Sequence, residues 1–513
     1  MRHAPLGSSE LSSLLRAREL LLEQSLLPEG ALQSFTADDF YCDSRTVKIG
    51  GCFIAYRGVS ADSHSFLEEV HRRGAVLFIV ETELPSHLVH KVSWLKVRSS
   101  RAALAWIYAA LAGNPQRDLA FFGVTGTNGK TSTVWLAKAL LAKIGQSSIS
   151  CGTLGFYLGS KHYPSTHTTP DPQSLFPHLE QGNKQGISTV LMEVSSHSVI
   201  QEKLAPLNFS GLGFTSFSQD HLDFHGDLRS YWQAKWLLFR RYLSRGAPGF
   251  CSASLLPYLR QEDLTGLNLY LYGSNLGQCN WPEERKIPLT ITADSATASS
   301  ISFVFQGTTY CGNIPLIGLY NCENFLCAWL LAFSASRQCI APQEWQDLPA
   351  IPGRLQRVLS GTALPQPTVY IDYAHTPDAL EKALGELRRH CQAKLWLVFG
   401  CGGDRDQGKR KIMGEIASRL ADVQVITADN PRGEDLGQIN AAILSGFPQG
   451  QLPLPFIIEE RRGAINFALT HAGENDVVLI AGKGHESTQT IRASLLAFDD
   501  YEEARKVLDR PSP

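Results

Sequence analysis

The segment Leu119-Ala-Phe-Phe-Gly-Val124 precedes Gly126-Thr-Asn-Gly-Lys-Thr131, and the segment Ser132–Ile144 follows. The first segment predicts a buried β-strand and the last an α-helix. Glycines between a strand and a helix let backbone N–H groups close around phosphate oxygens, and the helix N-terminus adds a favourable dipole. Lys130 is placed to reach the terminal phosphates, and the Thr131 hydroxyl is placed to bind Mg²⁺. The pattern predicts a nucleotide-binding P-loop.

One position departs from the strict P-loop pattern G-x-x-x-x-G-K-[ST]. That pattern requires glycine at position 124, where Val124 stands, and Gly123 lies one residue too early. The alternative is an ordinary glycine turn that opens a helix. The order of strand, loop, Gly-Lys-Thr and helix favours the nucleotide site. The residues expected around the phosphates are Gly126, Thr127, Asn128, Gly129, Lys130, Thr131 and Ser132.

Two further segments offer ligands for a metal ion. Thr189–Val194 is an apolar strand with one acid, Glu193, which is placed to bind the Mg²⁺ of the nucleotide. The alternative is a strand-end carboxylate that faces solvent. In Asp220-His-Leu-Asp-Phe-His225, His221 offers a ring nitrogen to a divalent ion. Spacing alone equally allows a capped loop that leads into a helix from Leu228.

From residue 353 onward, short apolar runs alternate with amphipathic segments, which predicts a doubly wound parallel α/β sheet. The apolar runs are Val369–Asp372, Leu395–Phe399, Gln424–Thr427 and Asp476–Ala481. A polar loop follows each of them, namely Tyr373-Ala-His-Thr-Pro, Gly400-Cys-Gly-Gly-Asp-Arg-Asp, Asp429-Asn-Pro-Arg432 and Gly482-Lys-Gly-His-Glu486. Ligands of such sheets bind beyond the carboxyl ends of the strands. The four loops therefore predict one composite site.

Length and composition set outer limits on the protein. At about 150 residues per domain, 513 residues suggest about three domains. We expect them at residues 1–113, 114–352 and 353–513. The formal net charge of -2 gives no global case for binding nucleic acid or an anionic membrane. No apolar run is long enough to span a membrane, and the 11 scattered cysteines fit reduced thiols in a cytoplasm.

Together these segments resemble the Mur ligase family. The resemblance is carried by Asp43–Arg45, Gly126–Thr131, Thr168–Pro170, Glu193–His197, Asp220–Asp223, Gly353–Arg354, Asp372–His375, Gly402–Arg410, Asp429–Arg432 and Gly482–Glu486. It implies a domain for the uridine diphosphate end of the substrate, a central P-loop ATPase domain and a Rossmann-like domain for an amino acid. It also implies a cytoplasmic, monomeric, ATP-dependent amide ligase of peptidoglycan biosynthesis that acts through an acyl phosphate.

The resemblance assigns catalytic and nucleotide roles to individual residues. His375 and Arg354 match positions near the ATP phosphates. Lys235 matches a lysine that the family carbamylates with CO₂, although by itself it would be taken for a helix-surface lysine. The residues implied to hold Mg²⁺, of which two ions are expected, are Thr131, Glu193, His221 and carbamylated Lys235. Asn321 and Asn324 match a segment near the nucleotide base, and helix N-capping is the alternative.

The resemblance also implies contacts with the acceptor substrate, UDP-N-acetylmuramoyl-L-alanyl-D-glutamate. The implied residues are Ser44, Thr168, Thr169, Ser195, Gln201 and Lys203. Lys203 stands where the family has an arginine, and lysine lacks the bidentate fork of a guanidinium. His167 stands where relatives often have asparagine, and Thr488 replaces a frequent tyrosine.

The stretch Asp429-Asn-Pro-Arg432 bears on which amino acid is added. It matches relatives that add meso-diaminopimelate, whose second carboxylate a guanidinium can bind through two parallel bonds. Arg432 would repel the cationic end of L-lysine. The implied contacts are Arg405, Asp429, Asn430, Pro431, Arg432, Gly482 and Glu486.

Four alternatives stay open from the sequence. Arg432 could be a surface arginine after a proline turn. The enzyme could add L-lysine, or it could be a folylpolyglutamate synthetase-like ligase that shares the P-loop and the amide chemistry. A nucleotide-binding module without ligase activity is the remaining alternative, and the intact set of candidate catalytic residues argues against it.

Overall fold

The computed structural model describes residues 5–27, 33–58, 61–260, 264–277, 279–295, 297–361, 365–450, 453–492 and 494–510. The chain divides into two compact units, Met1–Ile287 with Cys327–Ile340 and Pro288–Leu326 with Ala341–Pro513. The boundaries of the three expected domains stay a prediction. No helix in the described ranges combines the length and the apolar character that crossing a bilayer requires.

The first unit begins with a small, mostly parallel sheet. Its strands and helices are β1 (Leu6–Gly7), α1 (Ser8–Ala17), β2 (Leu21–Ser25), β3 (Ser34–Phe35), β4 (Phe40–Tyr41), β5 (Cys52–Ile54), α2 (Leu67–Arg72), β6 (Leu77–Val80), β7 (Ser93–Val97) and α3 (Ser100–Leu111). The strand order is β2-β7-β6-β5-β4, while β1 pairs with β3. All neighbours in the five-stranded sheet are parallel except β2 and β7.

A larger sheet follows in the same unit. Its elements are β8 (Ala120–Thr125), α4 (Lys130–Lys143), β9 (Ile149–Gly152), β10 (Gly155–Leu158), β11 (Lys161–Tyr163), α5 (Pro172–Lys184), β12 (Thr189–Glu193), α6 (Ser196–Ile200), β13 (Phe209–Phe214), α7 (Leu222–His225), α8 (Leu228–Tyr242), β14 (Pro248–Ser252) and β15 (Asn268–Gly273). The order is β11-β10-β9-β12-β8-β13-β14-β15, and the strands from β9 to β15 in this order run parallel.

The register of the central strands brings the loops that follow β8, β12 and β13 to one edge of the sheet. Val124 on β8 pairs with Glu193 on β12 and with Gly213 on β13. Strand β8 is buried on both faces, with Phe121, Phe122 and Val124 each no more than 2% exposed. A strand covered on both sides needs a continuous apolar run, which explains the sequence signal at Leu119–Val124.

The second unit holds an antiparallel segment and a parallel sheet. Its elements are β16 (Lys286–Asp294), β17 (Ser299–Phe305), β18 (Thr308–Ile314), α9 (Leu319–Ser336), β19 (Gln356–Arg357), β20 (Thr368–Asp372), α10 (Pro377–His390), β21 (Leu395–Phe399), α11 (Gly408–Leu420), β22 (Val423–Ile426), α12 (Leu436–Leu444), β23 (Phe456–Ile457), α13 (Arg461–His471), β24 (Val477–Ala481), β25 (Thr488–Ile491), β26 (Ser494–Ala497) and α14 (Asp500–Leu508). Elements β16 and α9 each extend across the division between the units.

The predicted doubly wound sheet is confirmed. Its order is β19-β20-β24-β21-β22-β23, and the five strands from β20 to β23 in this order run parallel. Helices α10 and α11 pack on one face through the cluster that includes Leu384 and Met413, and α13 and α14 cover the other face through Ile465 and Ala504. The four polar loops therefore leave the sheet at one edge, as their sequence positions predict.

Candidate active site

The loop between β8 and α4 folds tightly around its own lysine. The Lys130 Nζ donates to the carbonyl oxygens of Gly126 at 2.7 Å and Thr127 at 2.9 Å. Gly126 has a φ of 153°, and a Cβ there would lie 2.1 Å from the Thr215 hydroxyl. Val124 lies inside β8, so the glycine of the strict pattern would fall within the strand. The predicted order of strand, loop and helix is confirmed.

Two hydroxyl residues directly after β13 hold this loop in place. Thr215 Oγ1 and Ser216 Oγ donate to the Asn128 carbonyl at 2.5 and 3.0 Å, and the Asn128 N–H donates back to Ser216 Oγ at 2.9 Å. The Thr127 N–H also donates to the Ser216 carbonyl at 2.9 Å. Sequence reasoning missed both residues. Their position after a parallel strand next to β8 is the signal that could have found them.

Thr131 and Glu193 form a buried pair of oxygen donors. Thr131 Oγ1 donates to Glu193 Oε2 at 2.9 Å, and Glu193 is 1% exposed. The Thr153 N–H donates to Glu193 Oε1 at 2.7 Å, and the Thr153 hydroxyl donates to Oε2 at 3.2 Å. A carboxylate and a hydroxyl are the ligand types that Mg²⁺ prefers, so these residues fit that ion. The solvent-facing alternative for Glu193 is wrong, because β12 is covered on both faces.

Lys235 is buried beneath the P-loop. Its Nζ donates to the Gly126 carbonyl at 2.9 Å and lies 4.6 Å from the centre of the Tyr231 ring. Burial, together with the positive charge of Lys130, holds the pKa of Lys235 well below its ordinary value, although Asp220 acts in the opposite direction. At 2% exposure it is not a helix-surface lysine. A neutral buried amine is the form that reacts with CO₂.

His221 is the N-cap residue of the short helix α7. It has a left-handed φ of 52° directly before α7, and its Nε2 lies 3.4 Å from Asp220 Oδ2. Its ring centre is 4.9 Å from that of His197, and about half of its side chain is exposed. Metal binding by His221 stays a prediction, and the side chain of Asp223 lies outside the described part of the chain.

A chain of hydroxyl groups connects Glu193 with the threonines expected at the acceptor substrate. The Thr168 Oγ1 atom lies 3.2 Å from the Thr153 hydroxyl oxygen, whose one proton is donated to Glu193. Thr169 Oγ1 donates to the Glu193 carbonyl at 3.0 Å and accepts from the Ser195 N–H at 2.9 Å. The structure thus brings Thr168 next to Thr153, which contacts the Glu193 carboxylate, and brings Thr169 and Ser195 to the Glu193 backbone. Thr153, which follows β9, was missed by sequence reasoning.

Two of the departures from the family pattern, Lys203 and His167, meet at one carboxylate. Lys203 Nζ lies 2.6 Å from Asp171 Oδ1, and His167 Nδ1 lies 3.5 Å from Asp171 Oδ2. Asp171 was not singled out in the sequence, because nothing local indicates its partners. Gln201 is the C-cap residue of α6, two residues before Lys203. Ser44 begins a single turn, Ser44–Thr46, in the small sheet and is 9% exposed.

In the second unit, Arg354 and His375 flank one aromatic ring. The Arg354 guanidinium carbon lies 4.6 Å from the Tyr373 ring centre, and the His375 ring centre lies 4.5 Å from it. His375 Nδ1 also lies 2.8 Å from the Tyr373 carbonyl oxygen. Tyr373 directly follows β20. The ring therefore fixes two predicted site residues at the edge of the parallel sheet.

Asn321 and Asn324 lie within the first turns of α9. Both are buried, and the Asn321 Nδ2 donates to the Ile317 carbonyl at 2.9 Å. The helix begins at Leu319, so the N-capping alternative is wrong for both residues. Within the described part of the chain, Asn321 Oδ1 accepts no hydrogen bond although it is buried. Such an oxygen has the capacity to accept from a ligand.

The loops after β22 and β24 are joined through side chains. Asn430 Nδ2 donates to Glu486 Oε2 at 2.8 Å. Burial raises the pKa of the Asp429 carboxyl, although Arg461 and Lys483 act against this. Burial would also raise the pKa of Glu486, but Lys483 and Asn430 together hold it below its ordinary value. The predicted site residues Asp429, Asn430 and Glu486 therefore lie together.

Side-chain atoms of Arg432 and Arg405 both lie close to Gly402. A Cβ on Gly402 would meet Arg432 Nη1 at 3.0 Å and Arg405 Cγ at 3.8 Å. Arg432 has a left-handed φ of 51°, and its Nη1 donates to the Gly403 carbonyl at 2.8 Å. Pro431 is buried beside it, while Gly482 has a φ of 113°. The loop after β21 thus approaches the loop after β22, which brings both arginines together.

Comparison with known proteins gives a consistent result. Residues 124–332 match the Mur ligase middle domain, and residues 353–484 match the Mur ligase glutamate ligase domain. The chain is 36% identical over 499 residues to a UDP-N-acetylmuramoyl-L-alanyl-D-glutamate--2,6-diaminopimelate ligase of Geobacter metallireducens, covering 92% of this chain and 94% of the relative. A Coxiella burnetii protein of the same name is 37% identical over 511 residues, covering 97% and 99%.

Solved structures agree with these relatives. A structure of a ligase of the same name has a TM-score of 0.64 and 30% identity, covering 98% of this chain and 99% of that one. The Mycobacterium tuberculosis folylpolyglutamate synthase has a TM-score of 0.59 at 17% identity over 74% of this chain and 91% of that one, which shows the shared fold alone. With two family domains and full-length relatives above 30% identity, the chain belongs to the Mur ligase family.

Proposed function

We propose that this chain is the ATP-dependent ligase that adds meso-diaminopimelate to UDP-N-acetylmuramoyl-L-alanyl-D-glutamate. The relatives that bear this name match more than nine-tenths of the chain. The observation that carries the amino-acid choice is the placement of Arg432 and Arg405 around Gly402. Two arginine side chains that start from one place in the fold, with Arg432 Nη1 and Arg405 Cγ both close to Gly402, suit a second carboxylate, which meso-diaminopimelate has and L-lysine lacks.

The reaction proceeds in two balanced steps. The γ-phosphoryl group of ATP passes to the terminal carboxylate of the acceptor, and ADP leaves. The amine of the incoming amino acid then attacks the acyl carbon, loses a proton and expels phosphate. The new bond is an amide, and the product is the UDP-linked muramoyl tripeptide.

In the first unit we assign the phosphate contacts to residues 126–132 and the acceptor contacts to Ser44, Thr168, Thr169, Ser195, Gln201 and Lys203. Lys130 holds the terminal phosphates, because its ammonium stands inside the loop. Thr131, Glu193, His221 and carbamylated Lys235 are the groups that would hold Mg²⁺, of which we expect two ions. Bound Mg²⁺ supplies positive charge that neutralises phosphate oxygens.

In the second unit we assign the base of the nucleotide to Asn321 and Asn324, and the phosphates to Arg354 and His375. The buried Asn321 oxygen supports the first assignment. The amino acid is assigned to Arg405, Asp429, Asn430, Pro431, Arg432, Gly482 and Glu486. Arg405 and Arg432 bind the distal carboxylate, and Glu486 binds the distal ammonium.

We further propose that the protein works as a cytoplasmic monomer. The three expected domains, 1–113, 114–352 and 353–513, would hold the UDP end of the acceptor, ATP and the amino acid. Both the nucleotide-linked acceptor and ATP are products of cytoplasmic metabolism, which supports the location. The formal charge of -2 supports the expectation that nucleic acid is not a partner.

Phosphate release tests this proposal directly. The protein is incubated with ATP, Mg²⁺ and the acceptor, and with meso-diaminopimelate, L-lysine, L-glutamate or no amino acid. Release that depends on meso-diaminopimelate supports both the reaction and the assignment of the arginines. Dependence on L-lysine would keep the ligase and discard the arginine argument. A parallel incubation replaces the acceptor with a folate, and release only there, with L-glutamate, would favour the folylpolyglutamate reaction. ATP binding without any turnover would indicate a non-catalytic module.

A further inference from the structure

The loop after β24 contains a lysine that the proposed reaction leaves without a role. Lys483 is fully buried, and its Nζ donates to the Thr488 carbonyl at 2.7 Å, to Glu486 Oε2 at 3.0 Å and to Asn430 Oδ1 at 3.4 Å. An ammonium group has three donors, and three oxygens surround this one. A buried charge is costly unless it is matched in this way.

Two of the three partners are residues assigned to the amino acid. Asn430 belongs to the loop after β22, and Glu486 belongs to the loop after β24. The Asn430 carboxamide bridges them, because its Oδ1 faces Lys483 while its Nδ2 donates to Glu486 Oε2 at 2.8 Å. The same Oδ1 accepts from the Thr490 N–H at 2.9 Å. The ammonium of Lys483 therefore fixes the orientation of the amide as well as of the carboxylate.

The two carboxylate oxygens of Glu486 differ in their contacts. Lys483 and Asn430 both donate to Oε2. Among the described residues, no donor reaches Oε1, and the Glu486 side chain is 32% exposed. A carboxylate held through one oxygen presents the other in a defined direction. Such an oxygen can accept from an ammonium group of a ligand without first being reoriented.

We propose that Lys483 is a positioning residue of the amino-acid site, which fixes Glu486 through Oε2 and leaves Oε1 for the ammonium of the incoming amino acid. The inference rests on the proposed function of these loops. Lys483 itself does not contact the substrate. Its removal therefore weakens amino-acid binding through Glu486 and leaves the nucleotide site unchanged.

The test is a double-mutant cycle with Lys483→Met and Glu486→Gln. Methionine has a similar length and no charge. We expect Lys483→Met to raise the KM for meso-diaminopimelate about tenfold or more, the equivalent of one charge-assisted hydrogen bond. The KM for ATP should stay within about twofold, since the side-chain contacts of Lys483 are with Asn430, Glu486 and Thr488 and none of these is assigned to the nucleotide. In the Glu486→Gln background, Lys483→Met should raise the KM little further. Both substitutions act on the same contact, that between the Glu486 carboxylate and the ammonium group of the amino acid.

Controls separate positioning from general damage. Lys382→Met removes a half-exposed lysine of α10 that pairs with Asp378, and it should leave both KM values unchanged. If Lys483→Met fails to fold, Lys483→Gln keeps a donor for the Thr488 carbonyl and carries the same expectation. Penalties that multiply in the double variant, or equal rises in both KM values, would overturn the inference. A wild-type protein inactive with every amino acid would instead overturn the proposed function and this inference with it.

Discussion

The Arg461 guanidinium and the Asp500 carboxylate form a two-pronged ion pair with both N···O distances at 2.7 Å, and neither side chain is exposed. The remaining donors of Arg461 reach the carbonyl oxygens of Ala428 at 3.3 Å and Ala481 at 2.9 Å. These residues directly precede Asp429 and Gly482. One buried cation thus ties together the two strand ends from which the amino-acid loops emerge.

We expect Arg461→Met to destabilise the protein by about 3–5 kcal/mol, because it leaves Asp500 buried without a partner. Chemical denaturation followed by fluorescence measures this effect. Arg462→Met is the matched control. Arg462 is the next residue on the same helix, its side chain is 59% exposed, and it pairs with Glu503. Since Arg462 is exposed and Glu503 keeps Lys506 as a second partner at 2.8 Å, the loss of stability in Arg462→Met should be about 1 kcal/mol or less. Equal effects of the two substitutions would contradict the structural role of Arg461.

Lys130→Ala should reduce amino-acid-dependent phosphate release at least about a hundredfold, the usual cost of removing one donor from a developing charge. Its ammonium stands inside the loop that would surround the phosphates. Lys143→Ala, at the end of the same helix, is the control and should be nearly silent. Retention of full activity by Lys130→Ala would remove this loop from the catalytic site.

Activity should depend on dissolved CO₂ through Lys235. Burial and Lys130 lower the pKa of this amine, so more of it is neutral and reactive at neutral pH. Removing CO₂ should reduce phosphate release, and bicarbonate should restore it. The intact mass should show one added carbamate when bicarbonate is present and none after CO₂ has been removed. Lys235→Met should be poorly active and insensitive to bicarbonate, whereas a wild-type enzyme indifferent to CO₂ would exclude the modification.

Arg432→Ala should raise the KM for meso-diaminopimelate about tenfold to a hundredfold, since a charge-assisted hydrogen bond is lost. The KM for ATP should change little. Arg419→Ala, which removes an arginine that is 60% exposed, serves as the control. If the amino-acid dependence is unaltered, Arg432 is a surface arginine after a proline turn.

Acid should destabilise the protein through His485. Burial, with the nearby charge of Arg354, lowers the pKa of His485 from 6.5 to about 4. Between these values the unfolded chain binds a proton that the folded chain does not, so the free energy of unfolding increases with pH. The contribution of His485 to the free energy of unfolding is complete above pH 6.5 and is lost as the pH falls towards 4.

Denaturation midpoints measured across this range test the acid effect. His485→Asn should flatten the dependence on pH, and His471→Asn, at an exposed position on α13, should leave it unchanged. A dependence of equal slope in His485→Asn would assign the effect to other groups.

The sequence predicts the features that repeat along the chain better than those that join distant segments. Apolar runs locate the parallel strands, and strand direction alone places the loops that begin at Tyr373, Gly400, Asp429 and Gly482 at one edge. The P-loop is recognisable because its contacts are local, with Lys130 donating to Gly126 within the same turn. Apolar runs and the P-loop can be recognised because the residues that form each of them are close together in the sequence.

The partners that were missed come from elsewhere in the chain. Thr153 reaches Glu193 across 40 positions, and Asp171 reaches Lys203 across one strand and two helices. No local pattern specifies such pairs, because strand order and loop packing decide them. The left-handed conformation of Arg432 is likewise invisible, since that residue type rarely adopts it.

Gly353 has a consequence for protein engineering. Its φ is 63°, a Cβ would lie 2.3 Å from the His485 nitrogen, and its carbonyl accepts from the Tyr373 N–H at 2.8 Å. The chain therefore passes under the loop after β24 at the point where the sequence suggests a cut between domains. A fragment meant for separate expression should begin upstream of Pro352, so that Gly353 keeps its contacts, and Gly353 should not be replaced, because a Cβ would collide with the backbone of the loop.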